Sequence, residues 1–254
     1  MNYRLYNYRY ALEIVSSTAY APAWDEIDQA IRGLPLFQYV GKSRKYRRGD
    51  VSQHAMNTYF DRVLSVDYGW DWHPLATGIV NSNLRADFRK RFGAPERSIT
   101  IQAEVQFGNM ARWYSDVFKF QTAYSQKLIQ MGLCIVPVAS LAARIDQNVV
   151  NFERVVRELP MAELSITLPI VVIGVFPDED TPVYDVSSSA LQPYSAISGR
   201  GREDNRYRVV NGYLQGTPAH AITTDSPVGR KASSISEVGV LDEDEEDEDD
   251  SGDL

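Results

Sequence analysis

Glu104, Val105 and Gln106 are the residues of this sequence best placed to do chemistry. They lie in a stretch, 98–107, that alternates without a break. Ile99, Ile101, Ala103, Val105 and Phe107 fall on one side; Ser98, Thr100, Gln102, Glu104 and Gln106 fall on the other. A period of two predicts a β-strand with one apolar and one polar face. Glu104 and Gln106 then leave the same face, with the Val105 carbonyl between them. A hard divalent cation such as magnesium takes oxygen ligands, and two carboxylates plus a backbone carbonyl are a usual set. The second carboxylate must come from elsewhere. Asp87, in Leu84-Arg85-Ala86-Asp87-Phe88, precedes a turn at 93–95 that would fold it back beside Glu104. On the residues alone, the same pattern also suits a strand whose polar face is solvated.

The elements that must hold this strand alternate between helical and extended periods. Residues 24–34 place Trp24, Ile27, Ala30, Ile31 and Leu34 on one helical stripe. A glycine-flanked basic loop, 41–49, carries Lys42, Arg44, Lys45, Arg47 and Arg48. Residues 51–64 predict a helix with Met56, Tyr59, Phe60, Val63 and Leu64 inside. A second basic cluster holds Arg85, Arg89, Lys90 and Arg91. After the catalytic-type strand come a long amphipathic helix at 110–131, ended by Gly132, and a buried strand at 133–138. A helix at 148–159 and a buried strand at 168–176 follow. Strand–helix–strand–helix–strand order implies an α/β core with a mainly parallel centre. Residues 181–215 are polar and turn-rich, with a short strand expected at 207–210. Residues 216–240, rich in Ser, Thr and Gly, predict a linker.

Charge and composition narrow the function classes. The 254 residues carry a formal charge of −8, but the tail 241–254 alone contains 10 acidic residues and no basic one. Residues 1–240 therefore hold 26 basic against 24 acidic groups, a balance compatible with a nucleic-acid partner. The tail has too few apolar residues to offset its chain entropy and is expected to be disordered. The one cysteine, Cys134, lies in an apolar run and suits a buried core position, so a disulfide framework is excluded. His54, His73 and His220 are far apart and give little support to a zinc site. There is no Gly-rich phosphate loop and no Gly-x-Ser-x-Gly elbow. The longest apolar run, 168–176, is too short to span a bilayer, and the protein is expected to be soluble and cytoplasmic, with no membrane partner.

The segment Gln102-Ala103-Glu104-Val105-Gln106-Phe107-Gly108-Asn109 resembles the Glu-Val-Gln-Phe-(Gly/Ser) catalytic strand of the BglII/BstYI group of type II restriction endonucleases. That group carries Gln where most nucleases of its superfamily carry Lys. Trp24-Asp25-Glu26-Ile27, Gly69-Trp70, Ala86-Asp87-Phe88, Phe152-Glu153 and the run 168–174 resemble further features of the group, in the same order. The resemblance covers roughly 11–177, with a fainter echo at Asn205-Arg206-Tyr207-Arg208. The gap between Asp87 and Glu104 is about eight residues longer than in the relatives. Glu96 stands nearer the family spacing and is the alternative ligand.

The resemblance implies a three-layer, restriction-endonuclease-like α/β fold with a mixed central sheet flanked by helices. It implies one endonuclease domain over 1–215, with a catalytic core at about 80–177 and a DNA-contact arm at about 178–215. Asp87, Glu104 and the Val105 carbonyl would hold Mg2+, Gln106 would orient the attacking water, and Glu26 would stand outside the ligands. Lys42, Arg44, Lys45, Arg47 and Arg48 would meet phosphates. Asn109, Asp146, Gln147 and Asn148, and more weakly Arg206, Tyr207 and Arg208, would contact DNA near the bases. Such enzymes cut palindromes as two-fold homodimers, here with GATC as the expected centre, and work beside a cognate DNA methyltransferase. Three other readings stay open. They are a non-cutting DNA binder of the same fold, an interaction module using the acidic tail, and a repair nuclease indifferent to sequence.

Overall fold

The structure, a computed structural model, describes residues 1–43, 45–162 and 165–234. Arg44, the end of the expected linker and the acidic tail 241–254 lie outside the described residues.

The chain opens with β1 (Asn2–Tyr8), α1 (Ala11–Val15), α2 (Ala21–Gly33), β2 (Leu36–Gln38) and α3 (Gln53–Phe60). α3 widens into a π-helix, Asp61–Asp67. The centre is built by β3 (Asp71–Trp72), β4 (Phe88–Phe92), β5 (Ile99–Val105), α4 (Met110–Ser125), β6 (Met131–Pro137), α5 (Ala139–Ile145), α6 (Phe152–Glu158) and β7 (Ile170–Phe176). β8 (Val183–Asp185), α7 (Ser195–Ser198) and α8 (Glu203–Leu214) complete it.

A six-stranded sheet in the order β1-β7-β6-β5-β4-β3 forms the middle layer. β5, β6 and β7 run parallel, while β1, β4 and β3 pair antiparallel at the two sides. β2 and β8 make a small parallel pair apart from it. The sheet separates two cores. Ile101, Ala103, Leu133, Ile135, Val171 and Ile173 join Ile27 and Ile31 of α2 and Met56, Tyr59 and Phe60 of α3. The alternate residues of β6 and β7, Cys134, Val136, Ile170 and Val172, meet Trp113 and Phe120 of α4 and Val155 of α6. This is the expected α/β class with a mixed sheet between helical layers. Among the described residues no helix is long and apolar enough to cross a membrane.

Several elements depart from the sequence reading. The helix expected to reach residue 131 stops at Ser125, because Lys127 adopts a left-handed φ of 60° and turns the chain so that Ile129 is buried. The helix expected at 148–159 begins at Phe152, since Asn151 caps it through Arg154 N and Val149 bridges Asn109 instead. α5 has no counterpart in that reading. The short strand expected at 207–210 is the middle of α8. Glu203 and Asp204 favour a helix start there, and Tyr207 and Val210, one turn apart, are both buried. Residues 216–234, expected as linker, pack on α8. Asn211 donates to the Val228 carbonyl at 2.5 Å, Ala232 N donates to the Tyr207 hydroxyl at 3.0 Å, and Ile222 is buried.

Candidate active site

The antiparallel pairing of β4 with β5 sets the site. Phe88 lies opposite Ala103, so Asp87 arrives opposite Glu104 just where the ladder ends. Asp87 Oδ2 accepts from Val105 N at 2.7 Å, and Asp87 N donates to Glu104 Oε2 at 3.3 Å. Within one strand residue the N–H and C=O leave on the same side. The Val105 carbonyl therefore faces Asp87, while Gln106 N turns the other way to the Ile135 carbonyl at 2.9 Å. Glu96 sits in the 3-10 turn Pro95–Arg97 at the far end of the hairpin, exposed. It is roughly 17 Å of strand away from Glu104 at ~3.3 Å per residue. The extra residues between Asp87 and Glu104 are spent on this longer hairpin.

The polar face of β5 is not solvated. Gln102 and Glu104 are fully buried and Gln106 nearly so, because α4 crosses this side of the sheet. Helical spacing brings Arg112, Ser115, Asp116 and Lys119 over it. Lys119 Nζ donates to Glu104 Oε2 at 3.3 Å and to Asp116 Oδ1 at 3.0 Å. Glu104 Oε1 accepts from Gln102 Nε2 at 2.8 Å. The Gln106 amide is engaged at both ends: Nε2 donates to Asp116 Oδ2 at 3.1 Å, and Oε1 accepts from Gly108 N at 2.8 Å. A Cβ on Gly108 would come within 2.8 Å of that same Oε1, so a larger residue there would have to displace the Gln106 amide.

Burial pushes the Glu104 carboxyl well above its usual range, and the negative charges of Asp87 and Asp116 push the same way. Burial likewise raises Asp116. For Lys119 burial works against the charge, but Glu104, Asp116 and Asp87 outweigh it and raise the ammonium's pKa. The cluster is thus a buried group of acids that favours a cation.

Part of this cluster faces a cleft of ≈ 560 Å³, with Glu104 buried behind its wall. Asp87, Val105, Gln106, Arg112, Asp116 and Lys119 line it, together with Asp61, His73 and Arg85. Among the described residues no three His, Cys, Asp or Glu side chains converge as a complete ion cage. Asp87, Glu104 and the Val105 carbonyl nevertheless suit magnesium, which keeps several waters and completes its shell with phosphate oxygens. Asp61 begins the π-helix and accepts from Trp72 Nε1 at 3.0 Å; burial pushes its pKa up to about 7.

The expected DNA-contact residues divide. Lys45, Arg47 and Arg48 are exposed. Lys42 is drawn inward, where its ammonium donates to the Val51 carbonyl at 2.7 Å and the Ile145 carbonyl at 2.5 Å; burial lowers its pKa to about 8. Those bonds dock the basic loop against exposed Asp146, Gln147 and Asn148. Asn148 Nδ2 in turn donates to Asn109 Oδ1 at 3.1 Å, and Asn109 caps α4 through Ala111 N. The loop, 146–148 and Asn109 thus form one continuous rim beside the cleft. Tyr207 is a core residue on α8, and Arg208 is committed to Asn205 and the Ser226 carbonyl. Arg206 pairs with Glu203 and lies near Asp61. Glu26 is on the opposite face of the sheet, bonded to Lys90 at 2.7 Å and to Trp70 Nε1 at 2.8 Å, and so stands outside the site. The sequence reading missed Asp61, Arg112, Asp116 and Lys119.

No curated protein matches the chain. Among solved structures, the chain is similar to restriction endonuclease BglII complexed with a DNA 16-mer, at 17% identity and a TM-score of 0.56, over 71% of this chain and 79% of that one. Free BglII aligns at 18% identity and a TM-score of 0.49, over 71% and 82%. The match to the DNA complex shows that the BglII fold is shared. A family model described as restriction endonuclease BglII/BglIII matches residues 3–175, most of the chain and every strand of the central sheet, and the chain belongs to this family of type II DNA endonucleases.

Proposed function

We propose that the cleft hydrolyses phosphodiester bonds of duplex DNA at a palindromic, GATC-centred site, with Mg2+ held by Asp87, Glu104 and the Val105 carbonyl. The observation that carries this reading is the pairing of Asp87 with Glu104 at the end of the β4–β5 ladder, on a buried acidic face that opens into the cleft. When bound, the ion supplies Lewis-acid activation of water and screens charge that develops on the phosphate. Asp87 and Glu104 are pre-positioned for it, each tied to the other's backbone neighbourhood. Arg85 and Arg112, which both line the cleft, would orient the DNA backbone. Lys45, Arg47 and Arg48 would bind phosphates further out, and Asn109 with Asp146, Gln147 and Asn148 would reach base edges.

A palindrome read by two sites calls for a homodimer. Its support is a run of exposed apolar side chains: Tyr114 and Phe118 one turn apart on α4, then Ile79 and Val80 in a loop fastened to the α4 terminus through Gln126. The enzyme would act in the cytoplasm beside a cognate DNA methyltransferase. The acidic tail, outside the described residues, would compete with DNA for the basic rim, so removing 241–254 should raise non-specific affinity at low salt.

The test is digestion of unmethylated phage DNA in Mg2+ by wild type, Glu104→Ala and Asp87→Ala. Discrete fragments from wild type alone, with ends mapping to GATC-containing palindromes, are expected. A smear without fixed ends, or cutting by Asp87→Ala, would overturn the reading.

A further inference from the structure

The position two residues after Glu104 holds Gln106, which cannot carry positive charge, and the Gln106 amide is committed to Asp116 and Gly108 N. Phosphoryl transfer still calls for a cation near the scissile group, because charge builds on its oxygens. One cation touches the Glu104 carboxylate itself. Lys119 comes not from the strand but from α4, 15 residues further on, and reaches Glu104 Oε2 at 3.3 Å. It is fixed by Asp116 at 3.0 Å and lines the cleft with its side chain 17% exposed. Arg85 and Arg112 also line the cleft. An ion on Glu104 sits about 2 Å from its oxygen ligands. A phosphate oxygen on that ion is then within reach of an ammonium bonded to the same carboxylate.

We propose that Lys119 is the catalytic cation of this site, contacting the scissile phosphate from α4, and that Gln106 is a positioning residue that holds Lys119 through Asp116. The inference rests on the endonuclease reading above. In the step, the oxygen of water forms the new bond to phosphorus and releases its proton to solvent, while the bond from phosphorus to the sugar oxygen breaks. The sugar oxygen leaves with its electron pair and takes a proton from solvent. Lys119 remains an ammonium throughout and donates to a non-bridging oxygen.

Lys119→Met leaves Glu104 and Asp116 unbalanced and could fail to fold, so Lys119→Met is also made in an Asp116→Asn background, which removes one buried charge. Single-turnover cleavage, DNA affinity in Ca2+, melting temperature and Mn2+ affinity by calorimetry are measured for each. Relative to Asp116→Asn alone, adding Lys119→Met should slow cleavage on the order of 10²-fold, with DNA affinity within about threefold. Mn2+ should bind several-fold tighter, because the competing ammonium is gone. Lys119→Arg should keep cleavage within about tenfold of wild type. Gln106→Ala should slow wild type but add nothing once Lys119 is Met. A lysine serving only to hold the fold would lower melting temperature and weaken DNA and Mn2+ binding together. Cleavage by a folded Lys119→Met/Asp116→Asn protein within threefold of Asp116→Asn overturns the proposal. Absence of cutting by wild type on every DNA sinks the endonuclease reading instead, and unchanged Mn2+ affinity in that case removes Lys119 from the ion's neighbourhood as well.

Discussion

Alternate residues of one strand build two different environments. Ile101 and Ala103 point from β5 toward α2 and α3; Gln102 and Glu104 point toward α4. All four are fully buried. On the first face burial stabilises, by about 25 cal/mol per Å² of apolar surface. On the second it opposes the fold, since a buried carboxylate beside two others costs several kcal/mol unless a cation answers it. The first face secures the sheet, and the second holds an acidic cluster that Lys119 answers in part. Burial alone does not distinguish site from core here; the sign of the burial energy does.

The sharpest test of that contrast is Glu104→Gln. Cleavage should fall by at least about 10³-fold, the loss of an ion ligand being worth several kcal/mol. Stability should not fall with it. Because burial raises the folded-state pKa of Glu104, its ionised form weakens the fold as pH climbs above the unfolded value, and the amide removes that penalty. The variant should therefore melt no lower than wild type at pH 8. A lower melting temperature there would break the contrast.

Leu133→Ala probes the other face. Leu133 is fully buried among α2 and α3 residues, on the strand that neighbours β5. Its truncation should cost about 2–5 kcal/mol of stability. Below the melting transition, cleavage per folded molecule should stay near the wild-type rate. A large activity loss in a fully folded sample would show that the two faces are mechanically coupled.

The basic rim is a third environment, exposed and far weaker per residue. Replacing Lys45, Arg47 and Arg48 together by Ala should weaken DNA binding about equally across sequences. The slope of log affinity against log salt should become shallower by about 0.9 for each phosphate that the protein no longer neutralises. The cut site should not change. An altered recognition sequence would move these residues from phosphate binding to base reading.

The contrast between faces was half visible in the sequence. The alternation at 98–107 located β5, Glu104 and Gln106, and the direction of each side chain. The same alternation suggested a solvated polar face, which a central parallel sheet does not permit: its strands are covered on both sides. Whatever helix follows β5 must lie on those polar groups, so the polar residues of α4 that point inward belong to the site. Asp116 and Lys119 escaped notice because an acid and a base three apart on a helix are the mark of an ordinary surface pair. Asp87 was legible from its place before the turn, and the longer hairpin accommodates its unusual distance from Glu104. The α8 helix was missed because its buried side, Tyr207, Val210 and Asn211, is short and partly polar, and its cover is supplied by residues 216–234.

Asp61 lies between the two regimes and gives the smallest expected effect. It is a carboxylate in the cleft wall, opposed by Asp87 and helped only by Trp72 Nε1 and the field of Arg206. Burial is the larger influence and raises its pKa to about 7. A folded pKa above the unfolded value near 3.8 means that its contribution is most favourable below pH 4. It is lost as pH rises from there through about 7. Asp61→Asn keeps the acceptor for Trp72 and removes the charge. It should match wild type in melting temperature near pH 4 and exceed it by pH 8. Melting curves of both proteins across pH 4–8 decide the point. A gap that does not open with pH would mean that solvent in the cleft already screens this carboxylate. Asp61 would then belong with the exposed rim and not with the buried acidic face.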